Sequence, residues 1–206
     1  CKKNIGIIEF VTYEESKARL KTQRRFGPFL TFMEEIMRLL RKRKSCNSTA
    51  GIYIASPCDG EVLPLQESKD PMFRDAVLGQ GCFVYPKDDC IYAAVNGVVE
   101  AVFPTRHAIG IRSQSGLQLL LHFGINTVQL NGLYMKTHVR KGDVITEGKL
   151  LAEMNIAGVI KAGYDPDVYV IILESEHKKV TVFEREVYHG ETLMEVRDTT
   201  ERMQIE

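Results

Sequence analysis

The spacing of apolar positions changes character once along the chain, near residue 50. Over 31–44, Phe32, Met33, Ile36, Met37, Leu39 and Leu40 fall at helical spacing, while Glu34, Glu35, Arg38, Arg41, Lys42 and Arg43 occupy the other face. This predicts an amphipathic helix. Thr31 can cap it, with Glu34 three residues later completing a capping box. Pro28 ends any earlier helix, for which 13–25 is the candidate, and 45–50 reads as a polar linker. From Gly51 onward, short apolar or alternating runs are separated by Gly, Pro, Asn and Asp. Strands are predicted over 52–55, 81–85, 91–94, 98–103, 108–112, 117–122, 168–173 and 180–183. No solenoid or propeller period is present. The pattern predicts an all-β sandwich or barrel over 51–206, preceded by a basic helical arm or linker over 1–50.

Composition adds a charge asymmetry. The 206 residues are 44% hydrophobic and 26% charged, with no net charge, enough for one full core. Residues 1–50 hold twelve Lys and Arg against five Glu, so the arm carries +7 and the remainder −7. A basic amphipathic helix suits an anionic membrane surface; packing on the domain, or linking to a neighbouring domain, accounts for it equally. Nucleic acid is not expected as a partner, because the arm has no recognisable motif and the body is acidic. No apolar run approaches the length of a transmembrane helix, and no signal-peptide pattern is visible. The first residue, Cys1, leaves a processed chain, a fragment or a mature lipoprotein open. Five cysteines without secreted-scaffold spacing point to reduced thiols, with Cys82 and Cys90 read as ordinary strand or turn residues rather than a metal or redox pair. The expected location is the cytoplasm, with any membrane contact peripheral and on its inner face.

The candidate chemistry lies in two histidines at the ends of strand-like runs. His107 follows Phe103-Pro104-Thr105-Arg106, and His122 lies in Leu119-Leu120-Leu121-His122-Phe123-Gly124-Ile125-Asn126. An imidazole at an apolar pocket is a nucleophile near neutral pH, and a second beside it can hold the transferred group, which suggests phosphate carried on histidine. Leu117 to Leu121 reads as a buried strand delivering His122 to a surface end. Phe103, Ile109, Leu120 and Phe123 would exclude the water that hydrolyses phosphohistidine. His138, His177 and His189 read as solvent-facing.

From Ala55-Ser56-Pro57-Cys58-Asp59-Gly60 through Thr-x-His-Ala and His-Phe-Gly-Ile to the Gly-Asp and Gly-Glu-Thr segments, residues 52–197 resemble the glucose-type enzyme IIA domain of the bacterial sugar phosphotransferase system. The resemblance implies a compact antiparallel β sandwich with its site in a shallow depression. It implies that His122 is phosphorylated by phospho-HPr and passes the group to a cysteine of a IIB domain. His107 would bind the phosphate oxygens, Thr105 would orient His107, and the Gly124 carbonyl would accept the His122 ring proton. Read without the resemblance, Thr105 is a strand-end hydroxyl satisfying its own backbone.

Two positions depart from the family pattern. Asn126 and Gln80 stand where carboxylates border the site and face the basic patch of HPr. With Phe103 and Phe123 they form the expected partner-contact set. The alternative to a carrier is a regulatory module that binds a transporter or sugar kinase, or the IIA-like tail of a transporter, with transfer weakened or lost. No cofactor is expected; a zinc bridging His107 and His122 would need a carboxylate from a partner.

Overall fold

The computed structural model describes residues 51–199, and the helix expected over 31–44, with the rest of the arm, lies outside them. Fourteen strands and two short helices form the described residues. The strands are β1 Ile52–Ala55, β2 Gly60–Pro64, β3 Gln80–Pro86, β4 Cys90–Tyr92, β5 Gly97–Val102, β6 Ala108–Ser113 and β7 Gln118–Phe123, then β8 Met135–Thr137, β9 Val144–Ile145, β10 Leu150–Met154, β11 Val168–Ile172, β12 Lys178–Val182, β13 Glu186–Val187 and β14 Thr192–Asp198. The helices are α1 Pro71–Arg74 and α2 Ile156–Lys161. All eight predicted strands are present. The undetected ones are mostly two or three residues long, or, like β10 and β14, set two neighbouring core residues together and so break the alternation that marks a half-buried strand.

An eight-stranded sheet, in the order β13-β2-β3-β11-β7-β6-β5-β9, is the backbone of the domain. Two three-stranded sheets, β1-β14-β12 and β4-β10-β8, accompany it, and every strand pairing is antiparallel. Successive side chains of a strand point to opposite faces, so the apolar runs divide in two. Leu119, Leu121 and Phe123 of β7, Ile109 and Ile111 of β6, and Val168, Val170 and Ile172 of β11 join the larger core, which also takes in Ile54, Met194, Ile91, Leu151 and Met154 of the small sheets. This is the interior of a sandwich.

The opposite face carries a second cluster. Leu120, Ala108, Ala101, Phe83, Tyr169 and Ile171 project from the sheet and are covered by Leu65, Met72, Phe73 and Leu78 of the connection between β2 and β3. Within that connection α1 begins in a readable way: Asp70 accepts the Met72 amide on its side chain, and Pro71 opens the first turn. His107 and His122 lie on this second face.

Candidate functional site

Register brings the two histidines together. Ala108 of β6 and Tyr169 of β11 flank His122 of β7 as direct cross-strand neighbours, and the His107 carbonyl accepts the Phe123 amide at 2.7 Å. Arg106, at φ 57°, turns the chain so that His107 enters the sheet beside His122. The rings lie edge to face, with centroids 5.1 Å apart and planes at 82°. Thr105 Oγ1 is 2.5 Å from His107 Nδ1. The ring of Phe103 tilts against His107 at 5.7 Å.

Both imidazoles are held neutral. Burial takes His107 down to about 4. His122 lies well below its ordinary value, first through burial and then through the proximity of His107, against a hydrogen bond to the Gly124 backbone that favours the ring proton. A neutral imidazole has a lone pair for attack at one nitrogen and a proton for donation at the other.

The turn after β7 has little freedom. Gly124 takes φ 75°, and a β-carbon there would run into Thr127 Cγ2 and meet the Asp165 carbonyl oxygen at 2.7 Å. The Gly124 and Ile125 amides donate to the carbonyls of Asp167 and Asp165, and the Thr127 hydroxyl returns to the Phe123 carbonyl. Asn126, exposed and at φ 59°, leads into the 3-10 turn Thr127–Leu130. An amide is well suited to that left-handed conformation.

Several expectations change here. His122 stands near the end of β7 and is 3% exposed as a whole residue, with the ring of Phe73 of α1 against it at 5.0 Å between centroids. Phe103 and Phe123 are buried as well, so neither presents a partner-contact surface. Phe103 is a wall of the site, whereas Phe123 and Ile109 point into the larger core on the far face. Gln80 is used inward: its Nε2 donates to the Ser175 carbonyl at 3.0 Å and the Lys178 carbonyl at 2.9 Å. A carboxylate has no proton to give there, so an amide at this position has a structural reason independent of any partner. Asn126 alone of the four expected contact residues is exposed. His138, His177 and His189 are exposed as expected, His138 paired with Glu153 and His189 with Asp59.

Sequence reasoning missed Phe73, Tyr169 and Asp167. Phe73 stacks on Tyr169 at 3.9 Å, and Tyr169 in turn stands 6.3 Å from the His122 ring. Asp167 is buried and its carboxyl is pushed up to about 6, first by burial and then by Asp165. The Asp70-Pro71 helix start was a usable signal for the first of these. Tyr169 sits inside an apolar run with nothing to distinguish it. Among the described residues no cluster of three or more His, Cys, Asp and Glu is arranged to hold a metal, and Cys58, Cys82 and Cys90 are free thiols, the first two buried with their acidity suppressed by desolvation.

Comparison with known proteins decides the family. The family described as "phosphoenolpyruvate-dependent sugar phosphotransferase system, EIIA 1" matches residues 52–178. The chain belongs to that EIIA family. Its relatives include a beta-glucoside-specific EIIBCA component of the phosphotransferase system from Dickeya chrysanthemi, 43% identical over 121 residues, which is 59% of this chain and 19% of the relative. Proteins of the same description from Halalkalibacterium halodurans and Bacillus subtilis are 38% identical over 126 residues and 37% over 123, each covered to 20%. The matching part of the chain thus spans about one fifth of these relatives. Among solved structures, the glucose permease IIA of Mycoplasma capricolum superposes with a TM-score of 0.67 at 30% identity, over 71% of this chain and 96% of that one. The antiparallel sandwich is therefore the EIIA fold, and the EIIA domain is a phosphotransferase component of a sugar-uptake system. No described helix is long and apolar enough to cross a membrane.

Proposed function

We propose that His122 of this EIIA domain is the phosphoryl carrier, receiving the group from phospho-HPr and passing it to a cysteine of a IIB domain. The observation that carries the reading is the perpendicular pair of buried, neutral imidazoles, one held by a threonine hydroxyl and the other by a backbone carbonyl. The His122 Nδ1 proton is assigned to the Gly124 carbonyl, which leaves the Nε2 lone pair to attack phosphorus in line. The donor's P–N bond breaks and its nitrogen recovers the electron pair. His107, accepting from Thr105 at Nδ1, has Nε2–H to give to a phosphoryl oxygen. Transfer of this kind rests on positioning and electrostatic stabilisation rather than on further covalent steps.

No organic cofactor enters the scheme. Two imidazoles supply half of a tetrahedral zinc shell, so a metal bridging them would require a carboxylate from a docked partner. Fusion of the A module to B and C modules in the EIIBCA relatives supports a IIB domain as acceptor. The cytoplasm, where the donor resides, is the proposed location, with residues 1–50 as a connector or permease contact beside the membrane, ahead of a carrier domain over 51–206.

A second reading, a regulatory module bound to a transporter or sugar kinase, draws on the exposed neutral amide of Asn126, which stands where a carboxylate was expected. Incubation with phosphoenolpyruvate, enzyme I and HPr, followed by intact-mass detection of acid-labile phosphate, tests the carrier. Phosphate that is lost in His122→Ala and then passes to a IIB cysteine is the expected result. Phosphate that forms but never leaves supports the regulator, and labelling that survives His122→Ala overturns the assignment of His122.

A further inference from the structure

Thr127 opens the 3-10 turn after β7 and is fully buried. Both branches of its side chain land on the peptides that follow His122. Its hydroxyl donates to the Phe123 carbonyl, with the Gly124 carbonyl oxygen 3.5 Å from the same hydroxyl. Its methyl takes the space that a β-carbon of Gly124 would need. A β-branched side chain has few rotamers, so engaging both branches selects one. The other edges of the same two peptides are tied to the lead-in of β11: the Gly124 amide donates to the Asp167 carbonyl at 2.8 Å and the Ile125 amide to the Asp165 carbonyl at 3.0 Å. In a trans peptide the amide and the carbonyl point opposite ways within one plane. These bonds therefore turn the Phe123 and Gly124 carbonyls away from 165–167. The first of them meets Thr127, and the second is the hydrogen-bond partner of His122.

We infer that Thr127 is a positioning residue for phosphoryl transfer: by holding the Phe123 carbonyl with its hydroxyl and packing its methyl on Gly124, it keeps the Gly124 carbonyl where the Nδ1 proton of His122 meets it. A proton fixed at Nδ1 leaves the Nε2 lone pair to attack phosphorus. Without the hydroxyl, the Phe123 carbonyl loses a donor in a buried place, and a buried carbonyl is costly to leave unsatisfied. The two peptides tilt to recover one, and the Nδ1 proton loses its fixed acceptor. The ring then carries its proton on Nε2 more often, in the tautomer that has no lone pair at the attacking atom. The step from tautomer to transfer rests on the reading of His122 as carrier; the placement of the carbonyl does not.

The test uses the whole chain and two variants. Thr127→Val keeps the branched shape and removes the hydroxyl, whereas Thr127→Ser keeps the hydroxyl and removes the methyl. The ring nitrogen chemical shifts of His122 report its tautomer directly, whether or not it carries phosphate. In Thr127→Val the ratio of the Nε2–H to the Nδ1–H form is expected to rise about fivefold, the population shift for losing one hydrogen bond of ordinary strength. Transfer at saturating phospho-HPr should slow while the half-saturating concentration stays put, because a buried side chain takes no part in docking. Thr127→Ser should retain the tautomer and the rate. A folded Thr127→Val with the parent's tautomer ratio overturns the inference, and a shifted ratio with undiminished transfer overturns the role in catalysis. If Thr127→Val does not fold, a Thr127→Ser chain that has lost the Nδ1–H form overturns it equally, since its hydroxyl is still there. Labelling that persists in His122→Ala overturns the carrier alone, because the chemical shifts still read the carbonyl.

Discussion

Thr105 decides what His107 can do. The proposed transfer takes the threonine hydroxyl, 2.5 Å from Nδ1, as the donor, which confines the His107 proton to Nε2, the position from which it would stabilise a transferred phosphoryl group. Thr105→Val should let the tautomers redistribute, visible in the ring nitrogen chemical shifts, and slow phosphorylation by roughly ten- to a hundredfold, the worth of one charge-assisted bond. Gln80 offers a separate check. Gln80→Glu replaces the donor to the Ser175 and Lys178 carbonyls with an acceptor, and should cost about 1 to 3 kcal/mol in urea unfolding. A variant as stable as the parent would show that those two bonds are dispensable. That the two histidines, Thr105 and Gly124 gather in one place was legible because each belongs to a short, ordered motif. The inward use of Gln80 was not, since it depends on a loop almost a hundred residues away.

The strands nearest the site were legible for a different reason. In β6, β7 and β11 both faces are buried, so the sequence runs almost continuously apolar, the mark of a fully covered strand. The cover is the opposite case. A four-residue helix has no periodicity to read, and only its Asp-Pro start betrays it. Removing that start in Asp70→Ala should loosen α1 by about 1 kcal/mol and raise proteolytic cutting within 65–78 while the sandwich stays folded. That β7 and β11 pair was equally hidden, because the register setting Tyr169 against His122 is fixed by distant packing. The turn after β7 is the least forgiving connection in the site. Gly124→Ala meets both a positive φ and a backbone oxygen 2.7 Å from the new carbon, and the sheet side cannot retreat. We expect a loss of at least about 1 kcal/mol of stability and a displaced acceptor for the His122 proton, with a drop in phosphorylation larger than the fall in Tm explains.

Acid should destabilise the folded domain, with a slope that its own residues modulate. His107 sits at about 4 when folded against an ordinary value near 6.5, so the unfolded chain binds the extra proton between those limits and stability falls as pH drops through them. The loss from this residue is about 3 kcal/mol, and His122 adds to it in the same direction. Asp167 opposes them: raised to about 6 in the folded state, it favours folding most at low pH and loses that contribution as pH rises through 6. Urea midpoints between pH 7 and 4.5 should therefore fall with acid, more steeply in Asp167→Asn and less steeply in His107→Gln. A flat profile in Asp167→Asn, where that opposition is removed, would mean that the two rings are already wet. Behind all of this stands one sheet with two unlike sides. The larger side is closed off by the two small sheets, while the side bearing the histidines is covered by the connection between β2 and β3. A change at exposed Asn126 can alter whom the domain meets without disturbing either cluster. A lineage can thus acquire new conversation partners on one side of a wall whose other side never moves.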